Sequence, residues 1–480
     1  MARAERGPPL SGTWAALGVL LPAVVVSGLP MVAIDLAYHL RAGELMLEGG
    51  RILRTDPFSL PTLGRPWLDQ QWGAQVLFGW VFRLSGWFGL AALRAAGALG
   101  AALLLLLACR ARGASRRTSA GLTLAAAVAG LGGLQLRPQL LGVLAFTAFL
   151  WVAAGRRTSP GRLWLLLPVE VIWANTHGSF PLGPLVLGLF LLEDLAEHDP
   201  AARRTAAAVV GTALATLVGP FGVRAWSYAI DLVRDPLVRE VVREWRPPDL
   251  RSLEGGLFAA SVIAVLLVVA YRRPGVRWPQ IARLAVFAAA AALSVRAVIW
   301  WYPLAAVEIA AMLPATGPGA AERADPRDRR HLAIVGVAVL GLGIVLVPWW
   351  GSGDGARPPV SLVSAAPEGL ASVAGRLLAP GEPVFAAQAW GSWLEFALPG
   401  HPVVVDSRVE TISRTTWDDY VAVSTAEPGW PAILESWGIR VLVVDRREQP
   451  ALLAALQAEP TSWQRLRGDG EGAVFVRLER

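Results

Sequence analysis

The sequence predicts a polytopic α-helical membrane protein of about eleven transmembrane helices with a soluble α/β domain at its C-terminal end. Three observations predict it. Only 17% of the 480 residues are charged, while 54% are hydrophobic and the mean hydropathy is +0.47. A soluble chain of this length would carry roughly a quarter charged residues. Apolar runs recur until about residue 350 and then stop, and Arg-rich connections alternate with less basic ones, as loops on the two sides of a membrane do. The expected division is a transmembrane domain over residues 1–350 and a soluble extracytoplasmic domain over residues 351–480.

The elements follow in order. Spans need about 20 apolar residues each. Met1–Gly7 holds Arg3 and Arg6 and is expected inside. The first apolar run, Trp14–Ile34, lacks a small-residue cleavage site and passes straight into Asp35, so it reads as a retained span. The loop over residues 35–87 is then outside, and its last part, Gly73–Trp87, is amphipathic and reads as an interfacial helix. Phe88–Cys109 returns to RARGASRR inside. Ser119–Leu136 and Pro138–Ala154 turn outside at Arg137 and lead to RRTSPGR. Leu163–Ala174 and Pro181–Leu195 meet outside at Asn175 to Gly178, with EHDPAARR inside. A seventh span ends near Gly219, and a second outer segment covers residues 223–254. Gly255–Tyr271 precedes RRPGVR, two spans straddle Arg296, ERADPRDRR lies inside, and His331–Trp350 delivers the tail outside. The 21 Trp suit the interfacial belts of such a bundle.

The tail has a different pattern. PVFAAQAW and HPVVVDSRV read as short buried strands, TTWDDYVAVST and GWPAILESWG as helices. The strand IRVLVVD, the helix PALLAALQAE and the strand AVFVRLE follow. Alternating strands and helices predict a small α/β domain. Cys109 is the only cysteine, so no intramolecular disulfide forms.

All 44 basic residues are Arg, whose planar fork suits phosphate. They are scattered between spans, which argues against nucleic acid despite the formal charge of +7. There is no phosphate-cradling Gly-rich loop, no zinc-like Cys/His spacing and no nucleophile elbow, and neither a metal nor a cofactor is expected. What remains is a polar set on the outer side. Asp35, His39, Asp56 and Asp69 come from the first loop, Arg137, Asn175, His177 and Arg296 from span ends, and Arg224 from the second outer segment. An acid at the edge of an apolar run is costly unless solvated, paired or useful. If Asp35–Glu48 is helical, Asp35 and His39 stand one turn apart on one face, which Gly43 continues. Arg296, inside AALSVRAVIWWYPLAA, needs a partner. An acid beside Arg at lipid depth suits a lipid-linked phosphate donor: Arg would hold the phosphate, and the acid would take a proton from an acceptor hydroxyl. The simpler account is loop charges, a helix-starting Asp and snorkelling Arg.

The chain also carries a motif order: an apolar span, then D-x-x-x-H at Asp35 and His39, T-D-P-F-S at Thr55–Ser59, G-R-P-W at Gly64–Trp67, and Leu93 with Arg94. R-P-Q at Arg137, W-A-N-T-H-G at Trp173–Gly178, D-P-L-V-R-E at Asp235–Glu240 and W-R-P-P-D at Trp245–Asp249 follow, with W-G-S-W-L and V-V-V-D-S-R in the tail. This order resembles the bacterial GT-C-type integral membrane glycosyltransferases, the broad group with protein mannosyltransferases and aminoarabinose transferases. The resemblance implies a GT-C-like fold and an inverting transferase in the inner (plasma) membrane. It would move a sugar from a polyprenyl-phosphate-linked donor to a lipid, glycan or protein acceptor on the outer face, with Asp35 as catalytic base. The alternative is a non-enzymatic scaffold or transporter in envelope assembly. The repeated halves and broken helices of transporters are not evident in the sequence.

Overall fold

The computed structural model describes residues 11–314, 326–346, 363–364 and 366–478. The expectations for Met1–Gly7 and for the connection after Trp350 lie outside these residues. The chain divides into two compact units, each discontinuous in sequence. One comprises Met1–Pro30, Ser85–Ala229 and Val242–Leu362, the other Met31–Leu84, Ile230–Val241 and Val363–Arg480.

The first unit is helical. Leu253–Arg272 and Val295–Met312 are long and apolar enough, by length and composition, to cross a membrane, as is Trp72–Ala111, of which only residues 85–111 belong to this unit. Ser11–Ser27, Pro138–Ala154 and Trp278–Leu293 are shorter apolar helices. The Trp72–Ala111 helix breaks at Gly86 (φ 57°, ψ −149°), a conformation that glycine reaches without a Cβ clash. The break falls where the sequence separates the amphipathic segment from the apolar one. Beyond it, buried Arg94 satisfies carbonyls at the end of Ser11–Ser27, which a helix leaves without partners of its own. Its Nη2 donates to the Val26 and Leu29 carbonyls, and its Nη1 to the Pro30 carbonyl and Gln135 Oε1, both at 3.2 Å.

Several arginines in or near the supposed inner loops are paired rather than solvated. Arg156 Nε donates to Asp194 Oδ2 at 2.8 Å, and Arg157 Nε to Asp194 Oδ1 at 2.7 Å. Arg283 Nε donates to Glu308 Oε1 at 2.6 Å, and Arg112 Nη2 to Glu193 Oε1 at 3.1 Å. The Arg156 and Arg283 guanidinium groups also lie over the Phe190 ring, at 5.0 and 4.3 Å. Buried charge is tolerated only when paired in this way. Arg296 does not interrupt a continuous helix. Ser294 is extended (φ −154°, ψ 129°), so Arg296 stands in the first turn of Val295–Met312.

The second unit joins Met31–Leu84 and Ile230–Val241 to the tail. Met31–Val32 pairs in parallel with Val363–Ser364. The main sheet has four strands, in the order Val384–Ala386, Val441–Asp445, Gly472–Arg477 and Trp463–Gly468. The first pair is parallel and the others are antiparallel. The sheet and the helices Arg414–Ser424, Trp430–Ser436 and Pro450–Ala458 bury a core that includes Phe385, Leu442, Val444, Val423, Leu434, Leu456 and Phe475. The tail departs from expectation in three places. HPVVVDSRV forms only isolated bridges at Val403, PVFAAQAW is a strand only over Val384–Ala386 and then enters the Gln388–Ala397 helix, and Trp463–Gly468 is a strand where none is expected.

Candidate active site

The Ala33–Gly49 helix carries Asp35 in its first turn, and its N-cap is Val32. Asp35 is therefore not the capping residue, although a carboxylate there suits the helix dipole. Half-buried Asp35 and buried His39 stand one turn apart. Across from them, Gln75 Nε2 donates to Asp69 Oδ1 at 2.9 Å. The same amide nitrogen lies 3.2 Å from His39 Nδ1. With its second N–H directed there, Nδ1 accepts, and the imidazole proton is held on Nε2. Two glycines make this reach possible. A Cβ on Gly43 would stand 2.0 Å from the Gln75 carbonyl oxygen, and one on Gly79 2.9 Å from the Gly43 carbonyl carbon. Burial raises the Asp69 carboxyl to about 7, against the opposing pull of Arg408 and of hydrogen bonds from the Gln71 backbone and Gln75. Its Oδ2 has no hydrogen-bond partner among the described residues.

Asp56 belongs to a second cluster in the same unit. Its Oδ1 accepts from Phe58 N at 2.9 Å and Arg408 Nη1 at 3.1 Å, and its Oδ2 accepts from Thr62 Oγ1 at 2.6 Å. Arg408 Nε donates to Asp406 Oδ2 at 3.1 Å and Arg408 Nη2 to Ser59 Oγ at 3.0 Å. The guanidinium is enclosed by the Trp67, Phe58 and Tyr38 rings at 4.7, 5.1 and 5.6 Å. Burial alone would raise the Asp406 carboxyl, but the Arg408 charge overrides it and holds it down at about 2. Burial and the charge of Asp406 push the Glu395 carboxyl well above the ordinary carboxylate range. The T-D-P-F-S and V-V-V-D-S-R motifs thus meet in one ion-paired knot, and both Asp56 oxygens are committed to protein groups.

The remaining candidates lie in the helical unit. Arg137 Nη1 contacts Glu244 Oε1 at 2.8 Å, and Arg296 Nη1 lies 3.6 Å from Glu244 Oε2. Asn175 Nδ2 donates to the Val171 and Val218 carbonyls at 2.7 and 2.8 Å, clasping the chain on both sides of the turn. His177 Nδ1 lies 2.6 Å from Ser179 Oγ and accepts from Ser179 N at 3.2 Å, while Trp173 Nε1 donates to the same Oγ at 3.1 Å. Arg224 is exposed and makes no ion pair with a described residue. Among the described residues, no group of three or more His, Cys, Asp or Glu side chains forms a metal site.

The structure therefore brings together His39 with Asp69, and Arg137 with Arg296. It separates Asp56 into the knot and gives Asn175 a scaffolding contact. Gln75, Arg408 and Glu395 were not singled out from sequence. The signal available was the V-V-V-D-S-R run for Arg408; Asp69 lies ahead of the Trp72–Ala111 helix, and no spacing pointed to Gln75.

No protein-family model matches the chain, and no curated protein matches it in sequence. Solved structures do match. One is the archaeal oligosaccharyltransferase AglB from Archaeoglobus fulgidus, in complex with an inhibitory peptide and a dolichol-phosphate. It aligns at TM-score 0.59 and 12% identity over 95% of this chain and 73% of that one. The Archaeoglobus fulgidus oligosaccharyltransferase tethered to an acceptor peptide aligns at TM-score 0.55 and 12% identity, over 89% and 69% of the two chains. ArnT from Cupriavidus metallidurans, in the apo state, aligns at TM-score 0.51 and 16% identity over 97% and 98%. The fold is that of GT-C-type membrane glycosyltransferases.

Proposed function

We propose that this chain is an inverting glycosyltransferase that moves a sugar from a polyprenyl-phosphate-linked donor to an acceptor hydroxyl. In this reading about eleven helices cross the inner (plasma) membrane, and residues 351–480 and the chemistry lie on its outer face. Asp35 is the general base that takes the acceptor proton. Arg137 and Arg296 hold the donor phosphate, since guanidinium forks pair with phosphate oxygens. His39 tunes Asp35 from one turn away, and Asp69 acts through Gln75 on His39. His177 and Arg224 contribute to substrate binding, whereas Asp56 and Asn175 hold the scaffold.

The observation that carries this reading is that Arg137, just before the Pro138–Ala154 helix, and Arg296, in the first turn of Val295–Met312, face the two oxygens of one anion. The fold supports it, because AglB with that fold was solved with a dolichol-phosphate. The test compares envelope glycans and glycolipids of a strain lacking the chain with strains carrying the wild type or Asp35→Asn. Wild type should restore a missing sugar, and Asp35→Asn should not, since losing a general base costs about 10²–10⁴ in rate. Restoration by Asp35→Asn at the wild-type level would refute the base assignment.

A further inference from the structure

We propose that Glu244 is a built-in occupant of the donor's phosphate position, so that the donor binds by displacing a carboxylate of the protein itself. The inference rests on the reading of Arg137 and Arg296 as the phosphate-holding pair. Its basis is the geometry of the bridge. Arg137 precedes the Pro138–Ala154 helix, and Arg296 stands in the first turn of Val295–Met312. Each faces a different oxygen of the one Glu244 carboxylate, at 2.8 and 3.6 Å. Two oxygens of a phosphate group can be shared between two guanidinium groups in the same manner.

The loop that carries Glu244 is anchored by its backbone as well as by this side chain. Ser294 Oγ donates to the Glu244 carbonyl at 3.0 Å, and Val295 N donates to the Arg246 carbonyl at 2.9 Å. Trp245 lies under the Arg296 guanidinium at 5.2 Å, which orients the cation whether or not the carboxylate is present. The Glu244 side chain is 39% exposed, against 22% for Arg137 and 31% for Arg296. Ion pairs so exposed are weak, and water can take the place of either partner. Glu254 lies near enough for its charge and that of Glu244 to act on each other, so moving Glu244 away also relieves a repulsion. A carboxylate carries one negative charge against two cations. The phosphodiester of a lipid-linked sugar carries the same single charge, so the exchange keeps the pair as well compensated, and the relieved repulsion favours it.

The consequence is a competition that sets donor affinity. With Glu244 in place the arginines are compensated while the site is empty. A neutral polyprenol gains nothing by entering, because it cannot replace the carboxylate. Discrimination for the phosphorylated lipid is therefore written partly in an acid that need not touch the donor.

The experiment measures binding of farnesyl phosphate to the full chain in detergent at low salt, with farnesol and inorganic phosphate as companion probes. Glu244→Gln keeps the size, one carbonyl oxygen and the anchored backbone, and removes the competing charge. It should bind farnesyl phosphate about 3- to 10-fold more tightly, the effect of one or two exposed ion pairs, and farnesol unchanged. The gain should shrink in high salt. Arg137→Gln and Arg296→Gln should each bind farnesyl phosphate more weakly. A gain seen with farnesyl phosphate alone assigns the position to lipid-linked phosphate, and an equal gain with inorganic phosphate assigns it to the phosphate group itself. Weaker binding in both arginine variants, with unchanged or weaker binding in Glu244→Gln, overturns the displacement and leaves the phosphate pair standing. Unchanged binding in all three variants overturns the phosphate pair as well.

Discussion

Asp69 offers a measurable cost inside the candidate site. Its carboxyl is 3% exposed and is raised from the ordinary 3.8 to about 7. Each pH unit between those values is worth about 1.4 kcal/mol. Below pH 3.8 both the folded and the unfolded chain hold the proton, and Asp69 has no effect on pH dependence. Between pH 3.8 and about 7 the unfolded chain releases the proton while the folded chain keeps it. Folding stability therefore falls as pH rises through that window, by about 4 kcal/mol in all, and is flat above it.

Asp69→Asn has no proton to lose. Its amide oxygen can still accept from Gln75, so the contact to His39 is retained. The variant should match the wild type near pH 4 and become progressively more stable than it, by about 2–4 kcal/mol at pH 8. The lower figure allows for an amide N–H set where Oδ2 has no partner among the described residues. Denaturant titrations of the detergent-solubilised full chain from pH 4 to pH 8 measure it, with hydrogen exchange across residues 31–84 as the local readout. A stability difference that does not change with pH, or a less stable Asp69→Asn at pH 8, would refute the reasoning.

Arg408→Met should destabilise the second unit by about 3–5 kcal/mol, because it leaves Asp56 and Asp406 buried without their cation. Arg408→Lys should cost less but not nothing, since an ammonium keeps the charge and loses the fork; a wild-type denaturation midpoint for Arg408→Met would count against the knot. Gly43→Ala should cost about 1–3 kcal/mol or more, because the new Cβ meets the Gln75 backbone and neither helix can yield locally. It should also lower activity by moving Gln75 away from His39, and a fully active, equally stable Gly43→Ala would show that the crossing tolerates expansion.

Much of this fold was legible in sequence because the signals are local. Apolar runs announced Pro138–Ala154, Leu253–Arg272 and Val295–Met312, and the change of pattern near Trp87 announced the break at Gly86. In the tail, Val384–Ala386, Val441–Asp445 and Gly472–Arg477 stand where buried β-rich runs put them. The grouping of Asp35 with His39 needed only the helical repeat. Trp463–Gly468 was not legible, because all but its first residue are exposed and it is a strand only through pairing with Gly472–Arg477. HPVVVDSRV has strand composition but forms β-bridges only at Val403, and composition cannot supply a partner strand. In sequence Asp56 was one acid of the first loop among several; its cation is Arg408, on a segment far along the chain. Glu244 likewise became the common partner of Arg137 and Arg296 only once three distant segments were folded together. Periodicity is a property of neighbouring residues and survives in the sequence. Which charge answers which is decided by the folded backbone, because ion pairing depends on ångström distances and on burial that no local pattern encodes.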